Sequence, residues 1–563
     1  MIVVGGGAIA LSTAQELCSL QGHRVVVLWQ RDSDFARAVE AIGAVFIAAA
    51  RPDSSEGLER AGVRHAITIL ALSPDDQVNL HAALLARDAN PRIRIVLRQF
   101  NRTLGHKIEQ NLPNCSVLSL AWHSAATYAA AAIDPSCFRG LQFPEPDGPL
   151  TGFAIRNVGD CALDGATVAH AERSLGARLV AIDGATDFSE NSVLAAGAEL
   201  VVYGETAALQ ATAPVQSAAR GRLQIGQRLL SLLRRGPGRP PRLNPILASL
   251  AVATLAVFLV GTSYFHAEFG GGWLDAVYFV VATMTTTGYG DLTPDRSHPV
   301  DIIAAMLLML SGITLTGLFI AFGASLLTRV QWVTMQGLRP VRRRGHIVVC
   351  GAGSIGAGVI DLLLTLDKRL VVIELAPDAA LVEWAREQHF DLLTGDASRD
   401  STLDLCNLDA AHGLIALTDV DTLNLEIALG ARARNPTMPI VLRIAEASFA
   451  ESIARHFEFE TTYSAAALAA PAFVGLSRLP GSRGRVTFGG QEYGIGEIGT
   501  EGSKSLPPNA IPIAVSRGRS CEITHAFETV CPGERILVLV PTAPFREGKD
   551  TFAAAADRLL QRS

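Results

Sequence analysis

Charge is scarce in this sequence: Asp, Glu, Lys and Arg make up 18% of its 563 residues, against the usual quarter. With a hydrophobic share of 49%, such a chain is not disordered. It is still too polar, at a mean hydropathy of +0.28, to consist mainly of spanning helices, so a soluble body with a small membrane part is expected. Cysteine is rare as well. The 8 cysteines form no CxxC pair and keep no regular spacing, which argues against a disulfide scaffold or a structural zinc site and suits a reduced cytosol. A basic excess is also missing. Lys and Arg number 48 against 54 Asp and Glu, a net charge of -6, so nucleic acid is not an expected partner. No export signal is read either, because Met1-Ile2-Val3-Val4 passes straight into glycines without a basic stretch or a long apolar run. The length allows roughly three to five domains.

Long uncharged runs are present, and there are two. Ile246 to Phe265 and Ile302 to Thr328 carry no charge, and about 20 apolar residues in a helix match the thickness of a bilayer core. Arg220, Arg222, Arg228, Arg234, Arg235, Arg239 and Arg242 precede the first run. Arg329, Arg339, Arg342, Arg343 and Arg344 follow the second. Between them Glu268, Asp275, Asp291, Asp295 and Asp301 face Arg296 alone. The positive-inside rule therefore predicts a multi-pass protein of the cell membrane with both termini cytoplasmic. Residues 216–244 read as a basic linker with an interfacial helix, broken at Gly236-Pro237-Gly238 before the membrane.

The arms on either side repeat one another. Leu72-Ser73-Pro74-Asp75-Asp76 with Asn79 parallels Leu417-Thr418-Asp419-Val420-Asp421 with Asn424, and Val96-Leu97-Arg98 parallels Val441-Leu442-Arg443, at a constant offset of 345 residues. Chance strands would not hold that register, so an internal duplication is expected. Within each arm, short β-branched runs alternate with Ala- and Leu-rich helical stretches, which predicts βαβ units around a parallel sheet. A more strand-rich lobe follows, ending at Leu200-Val201-Val202-Tyr203 in the first arm and at Ile536-Leu537-Val538-Leu539 in the second. Alanine-rich Ser124 to Ala132 and Ser464 to Ala472 bridge the lobes and are small enough for a close subunit contact.

Between the uncharged runs, Trp273 to Val281 is aromatic-rich and too short to span, and it leads into Thr283-Met284-Thr285-Thr286-Thr287-Gly288-Tyr289-Gly290-Asp291. A half-crossing helix is tolerated only inside protein or beside water. Gly288 and Gly290 permit backbone angles that let successive carbonyls turn to one side. This stretch resembles the selectivity filter of potassium channels, with Thr286-Thr287-Gly288-Tyr289-Gly290 at the family's threonine-valine-glycine-tyrosine-glycine. Thr287 is a mild departure that keeps the β-branch. The resemblance implies potassium ions held by the carbonyls of Thr286, Thr287, Gly288 and Tyr289 and the Thr286 hydroxyl, with Asp291 and Asp295 gathering cations at the outer mouth. It also implies a homotetramer, since one chain supplies one wall of the path. In the second run, Gly312 is the expected gating hinge by the same resemblance, while close packing is an equal reading for any of Gly312, Gly317 and Gly323. No arginine ladder marks a voltage sensor.

Ile347-Val348-Val349-Cys350-Gly351-Ala352-Gly353-Ser354-Ile355-Gly356 reads as a strand feeding a GxGxxG turn and a helix. Glu374 closes the next strand, 23 residues after Gly351. That arrangement suits a diphosphate on the helix start and a ribose on the carboxylate. Glu374 would repel a 2′-phosphate, favouring NAD(H), ATP, ADP or AMP. Asp396 is placed to approach the adenosine, and Arg443 is open to two readings, a phosphate contact or a salt bridge within the fold. In the first arm Gly5-Gly6-Gly7-Ala8-Ile9-Ala10 matches only after a one-residue slip, Trp29 replaces Glu374, and Ala50-Arg51 replaces Gly395-Asp396. Ordinary nucleotide binding is not expected there.

Both arms resemble regulator of potassium conductance (RCK) domains, a Rossmann-type lobe with a small α+β lobe. The expected organisation is a mixed fold: a first Rossmann-type lobe at 1–136 and its small lobe at 137–215, then the linker. The pore module covers 245–330, with spans 246–265 and 302–328, pore helix 273–285 and filter 286–290. A gating linker at 331–345 leads to the second Rossmann-type lobe at 346–475 and a small lobe and tail at 476–563. By resemblance, eight such domains form a ring beneath a tetrameric pore and a small-molecule ligand on the ring opens or closes it. Calcium is a second ligand candidate, although Asp419, Asp421 and Glu426 read equally as helix caps and solvated charges. Two rival readings remain: a membrane-anchored NAD-dependent oxidoreductase and a non-conducting subunit of potassium transport. The enzyme lacks support, because His346 and His412 stand apart from any acid or base that would complete a proton-transfer set.

Overall fold

The computed structural model describes residues 1–20, 23–143, 148–212, 245–270, 272–294, 297–335, 340–459, 461–478, 481–499, 510–518, 520–524, 531 and 533–542. The basic linker 216–244, Asp295, Arg296 and the tail 545–563 lie outside the described residues. The chain divides into two units, Met1–Pro214 with Leu338–Ser563, and Val215–Gly337.

The first arm opens with a parallel sheet of β1 (Ile2–Val4), β2 (Val26–Trp29), β3 (Val45–Ala48), β4 (Thr68–Ala71), β5 (Arg94–Arg98) and β6 (Cys115–Leu118), in spatial order β3-β2-β1-β4-β5-β6. An antiparallel lobe follows, built from β7 (Cys137–Gln142), β8 (Leu150–Asn157), β9 (Arg178–Ile182) and β10 (Glu199–Glu205). The second arm repeats the plan. Its parallel sheet orders β13 (Asp391–Thr394), β12 (Leu370–Glu374), β11 (Ile347–Cys350), β14 (Gly413–Ala416), β15 (Ile440–Ile444) and β16 (Thr462–Ser464). Its small lobe is the antiparallel set β17 (Ser482–Phe488), β18 (Gln491–Gly499), β21 (Arg535–Pro541), β19 (Ile511–Arg517) and β20 (Ser520–Ile523). The central strands are apolar throughout because helices cover both faces; every residue of β1 and β11 is buried. The order reverses beside β1 and β11, which opens a crevice at the strand ends where such sheets take ligands.

The strand register confirms the duplication and its one-residue slip. Ile2 pairs with Val26 and Val348 with Val371, so β1 and β11 are offset by 346 residues while β2 and β12 are offset by 345. Two buried asparagines explain one repeated motif. Asn79 accepts from the Ser73 amide at 2.7 Å and donates to the Ser73 and Arg98 carbonyls at 2.8 and 3.0 Å. Asn424 makes the same three bonds with Thr418 and Arg443, each at 2.9 Å. Each clamps the loop after the fourth strand to the end of the fifth.

The alanine-rich helices make their close contact within one chain. The Leu120–Ile133 helix of the first arm packs on the Ser354–Thr365 helix of the second, and the Ala465–Arg478 helix of the second packs on Gly7–Ser19 of the first. The exchange is reciprocal, and its seams are small: a Cβ added to Gly358 would stand 3.0 Å from the Ala125 Cβ. Tyr128 donates to the Tyr463 carbonyl at 2.9 Å, and Arg94 to the Leu476 carbonyl at 2.6 Å. The small lobes join through Phe153 and Tyr203 against Phe488 and Tyr493, with Gly184 and Gly489 so close that a Cβ on either would overlap the other's backbone.

Among the described residues, the second unit holds three helices, Pro245–Phe269, Trp273–Met284 and Pro299–Met335. Proline at the first position of two of them removes an amide that has no helical partner there. Both long helices overrun the expected spans at each end. Their most apolar windows are only 11% and 22% buried, which is unlike the core helix of a soluble protein. Val252, Leu259, Val260, Met306, Leu310 and Ile313 all face outward, as lipid contact or contact with other copies requires. Phe265, Phe279, Val280 and Leu308 form the interior. The 12-residue middle helix is about 18 Å long, roughly half a bilayer core, and ends at Met284, one residue short of expectation.

Candidate functional site

The short helix delivers the glycine-containing loop. Its last turn is closed by the amides of Thr287 and Gly288, which both donate to the Ala282 carbonyl at 2.9 and 3.1 Å. Gly288 and Gly290 take φ values of 56° and 77°, the conformations for which glycine was expected. Thr286 also lies in the left-handed region at φ 60°, a costly state for a β-branched residue of the kind found where local strain serves a site. Thr286, Thr287, Gly288, Tyr289, Gly290 and Asp291 are exposed in the single chain. The Thr285 and Thr287 hydroxyls meet at 2.9 Å. Asp291 is not free: its Oδ2 accepts from the Tyr278 hydroxyl at 2.9 Å. That tyrosine was missed in the sequence, although it sits on the helix face that leads to the loop.

Gly312 lies against the foot of this loop. A Cβ there would come 2.6 Å from both Cα and O of Met284, so the absence of a side chain admits the short helix. Gly317 has open space around it, and the long helix continues through both positions.

In the second arm the three glycines divide their tasks as a dinucleotide turn requires. Gly351 takes φ 96° and abuts the Leu417–Thr418 backbone; Gly356 approaches the Gly351 carbonyl so closely that a Cβ would stand 2.1 Å from it. Gly353 faces open space at the start of the Ser354–Thr365 helix, with Ile355 buried behind it. The Glu374 carboxylate reaches back over this turn, its Oε2 accepting from the Ala352 amide at 2.7 Å and its Oε1 from the Leu375 amide at 2.9 Å. Asp396 is turned to its own loop, accepting from the Ser398 amide and hydroxyl at 3.0 and 2.8 Å, bonds that hold its carboxyl below the usual range.

Arg443 makes the ion pair of its second reading. Its Nη1 pairs with Asp419 at 2.7 Å and donates to the Leu417 carbonyl at 3.3 Å. Arg98 donates to the Leu72 carbonyl in the first arm in the same way, at 3.5 Å, so the repeated arginine serves the loop after the fourth strand. Asp421 accepts from the Ala445 amide through both oxygens at 3.0 Å, and with Asp419 ion-paired neither is presented as a calcium ligand. His412 bonds to the Ile133 carbonyl at 3.2 Å, across the arms, and His346 to the Cys406 carbonyl at 2.8 Å. Neither histidine joins a proton-transfer set.

The first arm has a filled cradle. The Trp29 indole lies on Gly6, where a Cβ would stand 2.2 Å from its Nε1. Gly6 corresponds to Ala352 and Trp29 to Glu374, so the indole covers the turn that the carboxylate addresses in the other copy.

Residues 1–112 and 347–462 match the TrkA-N domain family, and residues 252–329 match the ion channel family. The chain thus carries an ion-channel domain between two TrkA-N domains. It is 27% identical over 203 residues to the probable potassium channel protein 2 of Methanocaldococcus jannaschii, covering 35% of this chain and 59% of that protein. It is 24% identical over 216 residues to the voltage-gated potassium channel Kch of Escherichia coli, covering 35% of this chain and 51% of that one. The chain therefore spans between half and three fifths of these two relatives. The solved structure of the GsuK channel bound to NAD aligns with 96% of this chain and 76% of its own, at 14% identity and a TM-score of 0.48. The matched families are thus those of TrkA-N domains and ion channels, and both of these relatives are named as potassium channels.

Proposed function

We propose that four copies of this chain form a potassium-selective channel in the cell membrane, opened or closed by a ligand on the paired arms. The observation that carries this reading is Thr286-Thr287-Gly288-Tyr289-Gly290-Asp291 at the end of a half-length helix between two exposed apolar helices. Four such loops around one axis would stack the carbonyls of Thr286, Thr287, Gly288 and Tyr289 into rings that replace the hydration shell of potassium. The negative end of each short helix points toward the foot of the loop and favours a cation there. Asp291 adds charge at the mouth. Gly312, where the long helix would bend, touches the base of that loop, so bending and filter geometry share one contact.

The ligand assigned to the second arm is NAD(H) or an adenine nucleotide, with its diphosphate on Gly351, Gly353 and the Ser354–Ile355 helix start beside Gly356. Glu374 would exchange its bond to the Ala352 amide for the ribose hydroxyls. Asp396 stands beside the adenosine end, and Arg443 is left to the fold. A ligand shifts the pore only by its differential affinity for the open and closed arrangements. The arms would then lie in the cytoplasm, as the arginine flanks imply.

Potassium flux through purified protein in vesicles tests this, with and without NAD(H), ATP, ADP and calcium, in wild type and Glu374→Ala. Selective flux altered by a nucleotide only in the wild type is expected. Flux indifferent to every nucleotide would remove the assigned ligand, and absence of flux under all conditions would sink the channel.

A further inference from the structure

Three potential metal donors meet on the loop side of the helical unit. Glu268 lies in the last turn of Pro245–Phe269, His298 directly before Pro299–Met335, and Asp301 in the first turn of that helix. One donor atom from each lies within 4.8 Å of the others. Acid clusters at surfaces are commonplace, but Asp301 is not a surface acid. It is 4% exposed, its Oδ1 accepts from the Tyr264 hydroxyl at 2.7 Å, and its Oδ2 is buried with no hydrogen-bond partner. A buried carboxylate oxygen left unpaired is expensive, and a cation at this point would satisfy it.

We infer that Glu268, His298 and Asp301 bind a divalent first-row transition ion of the zinc and cobalt class. Two carboxylates and a neutral imidazole match a dication in charge. The nitrogen donor favours zinc or cobalt over calcium and magnesium, which take oxygen. Three protein donors leave a fourth position to water. Glu268 and His298 are exposed, and an ion would have to draw the three donors from within 4.8 Å of one another to the about 3 Å between donors on one ion. Tyr264 orients the buried ligand through its hydroxyl, the usual task of a group one step behind a metal ligand. The ion would pin the end of the first long helix to the start of the second. This site is independent of the nucleotide turn and of conduction.

The test is a cobalt titration of the tag-free, full-length protein in lipid nanodiscs, followed by visible absorption. One cobalt per chain is expected, displaced by zinc and not by calcium. His298→Ala and Glu268→Gln, at exposed positions, should lose the cobalt band while melting like the wild type. Tyr264→Phe should weaken binding by roughly ten- to a hundredfold. A wild type without a saturable cobalt signal overturns the site. So does a His298→Ala protein with the wild-type spectrum and affinity.

Discussion

The Tyr278 hydroxyl donates to Asp291 at 2.9 Å while the Tyr278 ring lies parallel to that of Tyr289, with centroids 6.1 Å apart and planes within 7°. One side chain on the short helix thus braces both an aromatic and an acid of the loop. Tyr278→Phe keeps the ring and removes the bond. The loop should then occupy the braced arrangement less of the time. Lower potassium flux with weakened selectivity against sodium is expected in vesicles; unchanged flux would show that the bond is idle.

Gly312 and Gly317 separate close packing from general helix flexibility. Gly312→Ala places a Cβ 2.6 Å from Met284 and should destabilise the helical unit by about 1–3 kcal/mol, with loss of flux. Gly317→Ala meets open space and should be neutral within the chain. Thermal melts of both variants in nanodiscs decide the matter, and equal effects would refute the distinction.

Nucleotide stoichiometry should be one per chain. Calorimetric titration with NAD(H) and ADP is expected to saturate at a single site, to vanish in Glu374→Ala and to persist in Trp29→Ala. Two sites per chain would contradict the filled cradle of the first arm.

Arg156, 1% exposed, is the largest fully buried side chain, and its Nη2 bonds to Asp134 and to the Leu209 carbonyl, the latter at 2.9 Å. Asp134→Ala leaves that charge buried without its counter-charge, at a cost of about 3–5 kcal/mol. Urea unfolding of the full chain should show it. A shift below about 1 kcal/mol would mean that water reaches the guanidinium.

His123 makes the contact between the arms sensitive to acid. Burial, then the charges of Arg139 and Arg483, hold its imidazole well below the usual 6.5, and its Nε2 accepts from Arg139 at 2.9 Å. Because the folded value is the lower one, the unfolded chain takes up the proton first. The contribution is complete above pH 6.5 and fades as pH falls below it, by about 1 kcal/mol at pH 5.5. His123→Gln should unfold with a flatter pH dependence between 7.5 and 5.5. An identical slope would assign the acid response to other groups.

Local pattern carried much of this structure and long-range pairing did not. The slip between β1 and β2 was legible because Gly5 and Val26 each have a counterpart in a nearly identical frame, at Gly351 and Val371. The three helices of the channel domain were legible because length and lack of charge are local properties. What Ser124–Ala132 touches was not: small residues announce a close approach without naming the partner, which is the other arm of the same chain. Arg443 was ambiguous because a guanidinium suits a phosphate and a carboxylate alike; in this structure it pairs with Asp419. Glu268, His298 and Asp301 went unread because the channel loop separates them and no spacing rule joins the ends of two spanning helices.

The indole of Trp29 over Gly6 sets an arithmetic limit on the response. If four chains assemble as proposed, they hold eight cradles on paper, of which the four covered by Trp29 would report no occupancy. A Hill coefficient cannot exceed the number of titrating sites, so the dose–response curve has a ceiling of about four.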